Sequence, residues 1–435
     1  MRKFARALAP AIAATFLLAG CGGGGGGSNE ANTSTPEETP SETATAEESG
    51  APARADADLV IWTDALKIDA VKSVAETFGE ANGISVEVQA VSSDLQTNFV
   101  TANEASNGPD VVVGAHDWIG NLVQNGSIEP LQLSADDLSG YSPKAVQATT
   151  YDGQLYGVPY GIESIALYRN TDVVPDQPKT MDDAIKAGEA AVKKGDVESA
   201  LNLPVGELGD AYHMEPLYTS MGGYLFGTSG DGEYQADDLG VGKPGSIKAA
   251  QKIAQLGEKG AKVLRRSISG DNSIALFTEG KAAFLISGPW ALGDVRDSGI
   301  KYEIQPIPGF AGQGPAEPFM GAQAFMVASN AKNAAFAQEF VNSGVNNEEA
   351  MTTLYEQANL PPALTSLQES IASEDPDTAL FAEAANKAQP MPAIPAMASV
   401  WEPLGKAYSA IVGGADPAKT MKDTGKTIQE AINAS

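Results

Sequence analysis

The stretch from Leu59 to Val113 leaves the chain few architectures. Leu59-Val60-Ile61-Trp62 is a short apolar run, and Leu66, Val71, Val74 and Phe78 follow on one side of a helix that Asn82-Gly83 stops. Ile84-Ser85-Val86-Glu87-Val88 alternates as a strand, and Leu95, Phe99 and Ala102 mark a second helix. Gly108-Pro109-Asp110 then turns into Val111-Val112-Val113. Strand, helix, strand, helix, strand within about 55 residues predicts an α/β body whose parallel strands are joined by right-handed crossovers.

Ligands of such sheets gather beyond the carboxyl ends of the strands. Here those positions hold Asp64 and Lys67 after the first strand and His116-Asp117-Trp118 after the third, so an acid, a cation, an imidazole and an indole share one rim. Each has a plainer reading: Asp117 can cap the helix carrying Ile119, Leu122 and Val123, and Lys67 can simply be solvated. A chain with two histidines does not fit a metal site built mainly from imidazoles, and neither metal nor cofactor is expected.

Further along, Tyr156-Gly157-Val158-Pro159-Tyr160-Gly161-Ile162-Glu163-Ser164 sets glycine and proline beside a carboxylate. This predicts a crossover between two lobes with Glu163 facing the gap, against the alternative of a solvated strand face. Thr180 with Asp183 resembles a capping box for a helix to Lys194. In Phe284-Leu285-Ile286-Ser287-Gly288-Pro289-Trp290 an apolar run breaks at Gly-Pro and delivers an indole just past a strand end. Trp290 is read either as core or as an aromatic platform. Phe319 to Val327 predicts a strand returning to the first lobe. A Pro-punctuated Met391-Pro392-Ala393-Ile394-Pro395-Ala396-Met397 precedes amphipathic stretches from Ser399 and from Pro417.

With 435 residues, 43% of them hydrophobic, the chain can bury two cores. A net charge of −28 excludes nucleic acid as a partner, since its phosphates would be repelled. The amino terminus sets the compartment. Arg2, Lys3 and Arg6 precede an apolar run from Ala7 to Ala19 that is too short to span a bilayer, so residues 1–20 read as a secretory signal. Leu18-Ala19-Gly20-Cys21 resembles the lipobox of bacterial lipoproteins, which implies that Cys21 carries lipid and anchors the exported chain to the outer face of the cytoplasmic membrane. As the sole cysteine, Cys21 leaves no intramolecular disulfide. Residues 22–57, opening on six glycines and continuing with Ser, Thr, Glu, Ala and Pro, read as a disordered tether.

Taken together, Leu59-Val60-Ile61-Trp62, Gly108-Pro109-Asp110, Ala115-His116-Asp117, Gly288-Pro289-Trp290-Ala291 and the Met391 to Met397 segment occur in the order of the maltose/maltodextrin-binding proteins. The chain resembles that family from Leu59 to its end. The resemblance implies an α/β, two-lobed periplasmic-binding-protein-like fold, its lobes joined by hinge strands around a ligand cleft. Lobe one is expected over residues 58–161 and 324–370, lobe two over 162–323 and 371–435. It also implies that Trp290 and Trp401 stack on sugar rings, that Asp117 and Glu163 accept hydrogen bonds from hydroxyls, and that Lys67 donates them. Asp210 stands where the family often has Glu, and Tyr212 matches a sugar-contacting tyrosine. The sequence departs from the family's pattern at Gly114, where an aromatic is common, at Leu66, where an acid flanks the lysine, at Trp118, where a basic residue is common, and at Gly405, where an arginine occurs. Asp64 is a candidate to compensate for Leu66, and Trp118 for Gly114.

The chemistry agrees. A pyranose needs a flat aromatic for its C–H face and acceptor-only carboxylates for its hydroxyl belt. The expected function is the substrate-binding component of a carbohydrate ABC importer, binding maltose or maltodextrins as a monomer, delivering them to the transporter's permease subunits, and having no enzyme activity. Two alternatives stand beside it: the same fold taking another sugar or small solute, and an exported glycoside hydrolase using Asp117 and Glu163 as its carboxylate pair.

Overall fold

In a computed structural model, which describes residues 51–230 and 233–434, the first strands pair in parallel: β1 (Leu59–Thr63) lies between β2 (Val86–Ala90) and β3 (Val111–Ala115). Because side chains alternate along a strand, Leu59, Ile61, Val111 and Val113 enter one core while Val60, Trp62 and Val112 enter another on the opposite face. The helix Ile68–Asn82 closes on Gly83 in the left-handed region, as Asn82-Gly83 suggested. Leu66 departs from expectation. It is 87% exposed and precedes the helix, because Asp64 gathers residues 64–67 into a turn, accepting the Leu66 N–H at its side chain and the Lys67 N–H at its carbonyl. β2 also begins two residues later than the alternation from Ile84 indicated.

Beyond a short hairpin of β4 (Thr150–Tyr151) and β5 (Gln154–Leu155), β6 (Val158–Glu163) runs along the edge of the large sheet, and after two intervening residues β7 (Ala166–Asn170) starts a second sheet. β8 (Phe226–Thr228) and β9 (Tyr234–Leu239) form a hairpin. β7 is then flanked on both sides by antiparallel partners, β10 (Phe284–Ser287) and β11 (Tyr302–Gln305). β12 (Phe319–Val327) has every residue buried and carries the chain back, antiparallel to both β3 and β6. β13 (Gln389–Pro390) adds a parallel pair at the start of β12. The second body packs Phe284 and Ile286 into one core and Leu285 with Tyr168 into another.

The signal-like run, Cys21 and the tether up to residue 50 lie outside the described residues. The tether's last residues are held against the first body. Arg54 donates to the Gly108 carbonyl and to Asp110, whose buried carboxylate also accepts the N–H groups of Val60 and Asn333. A buried carboxylate needs such partners, and Arg54 is the cation that meets it. Among the described residues, no helix is long and apolar enough to cross a membrane.

Candidate functional site

The carboxyl ends of β1, β3 and β6 converge, and the polar residues expected there converge with them. Lys67 is ion-paired with Asp64 and mostly buried, so Asp64 supplies the acid that Leu66 does not. Asp117 does not cap the helix Ile119–Gln124. Its Oδ2 accepts a hydrogen bond from the indole Nε1 of Trp401 at 3.0 Å, a bond between the first body and the second. Glu163, at the end of β6, lies across Gly321 on β12, where an added Cβ would sit 2.7 Å from its Cγ, and it accepts from Gln323 Nε2 at 3.3 Å. His116 is fully buried and structural. Its Nδ1 accepts from the Ala322 N–H at 3.0 Å, so Nε2 carries the proton toward the Met391 carbonyl at 3.2 Å, tying β3 to β12 and to the segment after β13.

The second body contributes rings. Asp210 caps the helix Ala211–Ser220 by accepting the His213 N–H at 2.9 Å, and its other oxygen meets His213 Nδ1 at 2.7 Å. This fixes Tyr212 and His213 on the first turn. The loop before it is seated by Gly209, φ 82°, against the backbone of Gly405 on the helix Trp401–Val412. An arginine at Gly405 would stand in this contact. Past β10, Tyr168 donates to the Gly288 carbonyl at 2.8 Å and holds the Gly-Pro turn that presents Trp290. The Trp290 indole folds over Gly288, whose Cβ would lie 2.2 Å from it.

These rings form one continuous wall. Trp290 meets Tyr212 with centroids 6.4 Å apart and His213 edge-on at 5.9 Å, Tyr212 stacks on Phe319 at 6.5 Å, and Phe319 meets Trp401 edge-on at 6.2 Å. Trp290, Tyr212 and Trp401 are half-buried. Facing the wall, burial pushes the Asp117 carboxyl up to about 6, with the neighbouring Glu163 adding to the shift and the Trp401 hydrogen bond opposing it. Burial also raises Glu163, against the pull of Lys67 and Gln323. At Asp210 burial pushes upward too, but His213 outweighs it and the carboxyl lies below its ordinary range. Burial together with Glu163, Asp210 and Asp117 holds the Tyr212 hydroxyl protonated well past its usual value. Among the described residues that hydroxyl is buried without a hydrogen-bond partner, as are Tyr160 Oη and Gln323 Oε1 nearby.

Asp64, Lys67, Asp117, Glu163, Asp210, Tyr212, Trp290 and Trp401 are thus linked through shared contacts and fields. Trp118 is placed differently. Its indole covers Gly114, where a Cβ would meet it at 2.1 Å, and packs with the core containing Val60, Trp62 and Phe99. Three contributors were not legible as site residues: His213, Phe319 and Gln323. Gln323 had a signal, being the one polar side chain in the nine-residue apolar strand β12. Among the described residues no group of acids, histidines and cysteines is arranged to hold a metal ion. The arrangement offers aromatic faces, acceptor carboxylates and one ammonium, which suits a polyhydroxylated ring.

Comparison with known proteins agrees. Residues 73–383 match the family described as bacterial extracellular solute-binding protein. The chain is 29% identical over 386 residues to the galactooligosaccharide-binding protein of Bacillus subtilis, covering 87% of this chain and 90% of that one. It is 28% identical over 372 residues to the maltodextrin-binding protein MdxE of the same organism, covering 83% and 85%. It is 27% identical over 383 residues to a maltooligosaccharide ABC transporter solute-binding lipoprotein of Streptococcus pneumoniae, covering 86% and 89%.

Proposed function

This chain belongs to the bacterial extracellular solute-binding proteins, and on that premise we propose that it is the oligosaccharide-binding component of an ABC importer, taking maltodextrins between its two lobes. The observation that carries the reading is the Tyr212 hydroxyl, without a hydrogen-bond partner among the described residues, set among Asp117, Glu163 and Asp210 within a wall of four further rings. Sugar C–H faces stack on Trp290 and Trp401 while hydroxyls donate to the carboxylates and meet Tyr212 and Gln323. A site of buried acceptors rejects a solute lacking those hydroxyls, because its own groups would stay unpaired.

The lobe boundaries proposed are 58–161 with 324–370 and 162–323 with 371–435. The sugar favours closure by touching both lobes, and the closed form docks on permease subunits. Cys21 is proposed as the lipidated residue that holds the exported chain at the membrane, a reading in keeping with the lipoprotein name of the S. pneumoniae relative. Trp118 belongs to the proposal as a ligand-binding residue, the aromatic platform that takes the place of one at Gly114.

A second reading, a galactooligosaccharide ligand, is favoured by the similarity to the B. subtilis protein of that name over 90% of its length. Calorimetric titration against maltose to maltoheptaose, β-galactooligosaccharides, trehalose and sucrose separates the two. Saturable binding of maltodextrins alone is expected. Binding of galactooligosaccharides alone selects the second reading, and silence toward every sugar ends both. Hydrolysis of maltotriose that disappears in Asp117→Asn would instead make the chain an enzyme.

A further inference from the structure

Next to the aromatic wall, and sharing Phe319 with it, lies a cavity of about 640 Å³ bordered by the helix Ala211–Ser220, the β8–β9 hairpin and the segments on either side of β12 and β13. The volume is within the roughly 300–1,000 Å³ of small-molecule sites. Tyr224, Phe226, Tyr234 and Phe319 line it, and so does Glu215. Glu215 is 2% exposed and its Oε2 has no hydrogen-bond partner among the described residues. An acid buried in this way is costly, and an apolar residue of the same volume would serve packing better.

The groups around Glu215 give it no counter-ion. Glu317, on the segment leading into β12, lines the same cavity and its charge opposes that of Glu215. The other ionisable groups that sense Glu215 are Tyr218 on its own helix, Tyr234 on β9 and Tyr408 on the helix Trp401–Val412. Lys387, at the rim, is ion-paired with Glu383. An anion would be repelled here, and a neutral polyol, though Thr219 and Gln389 also offer it hydrogen bonds, would leave the charges of Glu215 and Glu317 unanswered. A cation with an apolar body satisfies both the carboxyl and the rings, whose faces attract positive charge.

We propose that this cavity is a second ligand site, for a small organic ammonium ion, with Glu215 as its counter-ion, Glu317 at its mouth and the four rings as its walls. The site shares Phe319 with the aromatic wall but none of its carboxylates or indoles, and it does not depend on which sugar the cleft takes.

Calorimetric titration of the full chain with choline and benzyltrimethylammonium tests it, with 3,3-dimethylbutan-1-ol as the uncharged counterpart of choline. The cations are expected to bind, with the alcohol at least about tenfold weaker, and Glu215→Gln should weaken cation binding about tenfold or more while leaving sugar titrations unchanged. Glu317→Gln, at an exposed position that cannot disturb the core, should weaken the cations several-fold. Absence of cation binding, equal binding of the alcohol, or cation affinity unchanged in Glu215→Gln overturns the proposal. If Glu215→Gln does not fold, unchanged affinity in Glu317→Gln overturns it alone.

Discussion

Asp117 and His116 are adjacent, and burial moves them in opposite directions. His116 is lowered from 6.5 to about 4, so the unfolded chain binds its proton first and stability falls as pH drops through that window. Asp117 is raised from 3.8 to about 6, so its contribution is fully present below 3.8 and is lost as pH rises toward 6. Each amounts to roughly 3 kcal/mol, and between about pH 4 and 6 the two slopes offset. Removing one exposes the other: Asp117→Asn is expected to lose stability on acidification through this range more steeply than the parent, read from urea unfolding at successive pH values. Sugar hydroxyls donate best to an ionised Asp117, so affinity should decline as pH falls below about 6, checked by calorimetry at pH 7.5 and 5. Trp290→Ala should cost roughly 1–3 kcal/mol of sugar affinity, read by calorimetry on the folded variant. An unchanged dissociation constant would leave Trp290 a packing residue.

At the scale of elements, the site is built from strand ends and the glycines beside them. Glu163 rests on Gly321 and Trp290 on Gly288, each over the place where a Cβ would stand. Gly321→Ala is therefore expected to displace Glu163 and to weaken sugar binding at least about tenfold while β12 remains paired, as judged by titration and by circular dichroism. Much of this was legible in advance. The apolar runs at 59–62 and 111–113 announced parallel buried strands, and their carboxyl ends located Asp64, Lys67 and Asp117. Leu66 misled, because an apolar residue at helical spacing cannot reveal that the Asp64 turn intercepts the helix. His213 and Phe319 were hidden for a related reason. Their roles come from a helix cap and from ring contacts between residues 107 positions apart, neither of which leaves a period in the sequence. The sequence presents Trp118 as a displaced aromatic platform standing in for Gly114, and only packing could show that its ring lies over Gly114 and joins the core containing Trp62.

At the scale of the whole molecule, the hydrogen bond from Trp401 to Asp117 spans the two bodies at the place proposed for the sugar. Trp401→Phe keeps the ring and removes the donor, so the sugar-free protein is expected to show a larger radius of gyration in solution scattering than the parent. Addition of a bound maltodextrin should compact both, and no compaction in either would contradict hinge closure. A different consequence follows from β12. It pairs Phe325 with Val113, so the centre of the large sheet waits for residues more than 200 positions downstream of β3. At synthesis rates of about 5–20 residues per second, roughly 10–40 s pass before that strand exists. For all that time the large sheet cannot close around its middle strand, a delay in completing the fold that suits a chain exported across a membrane.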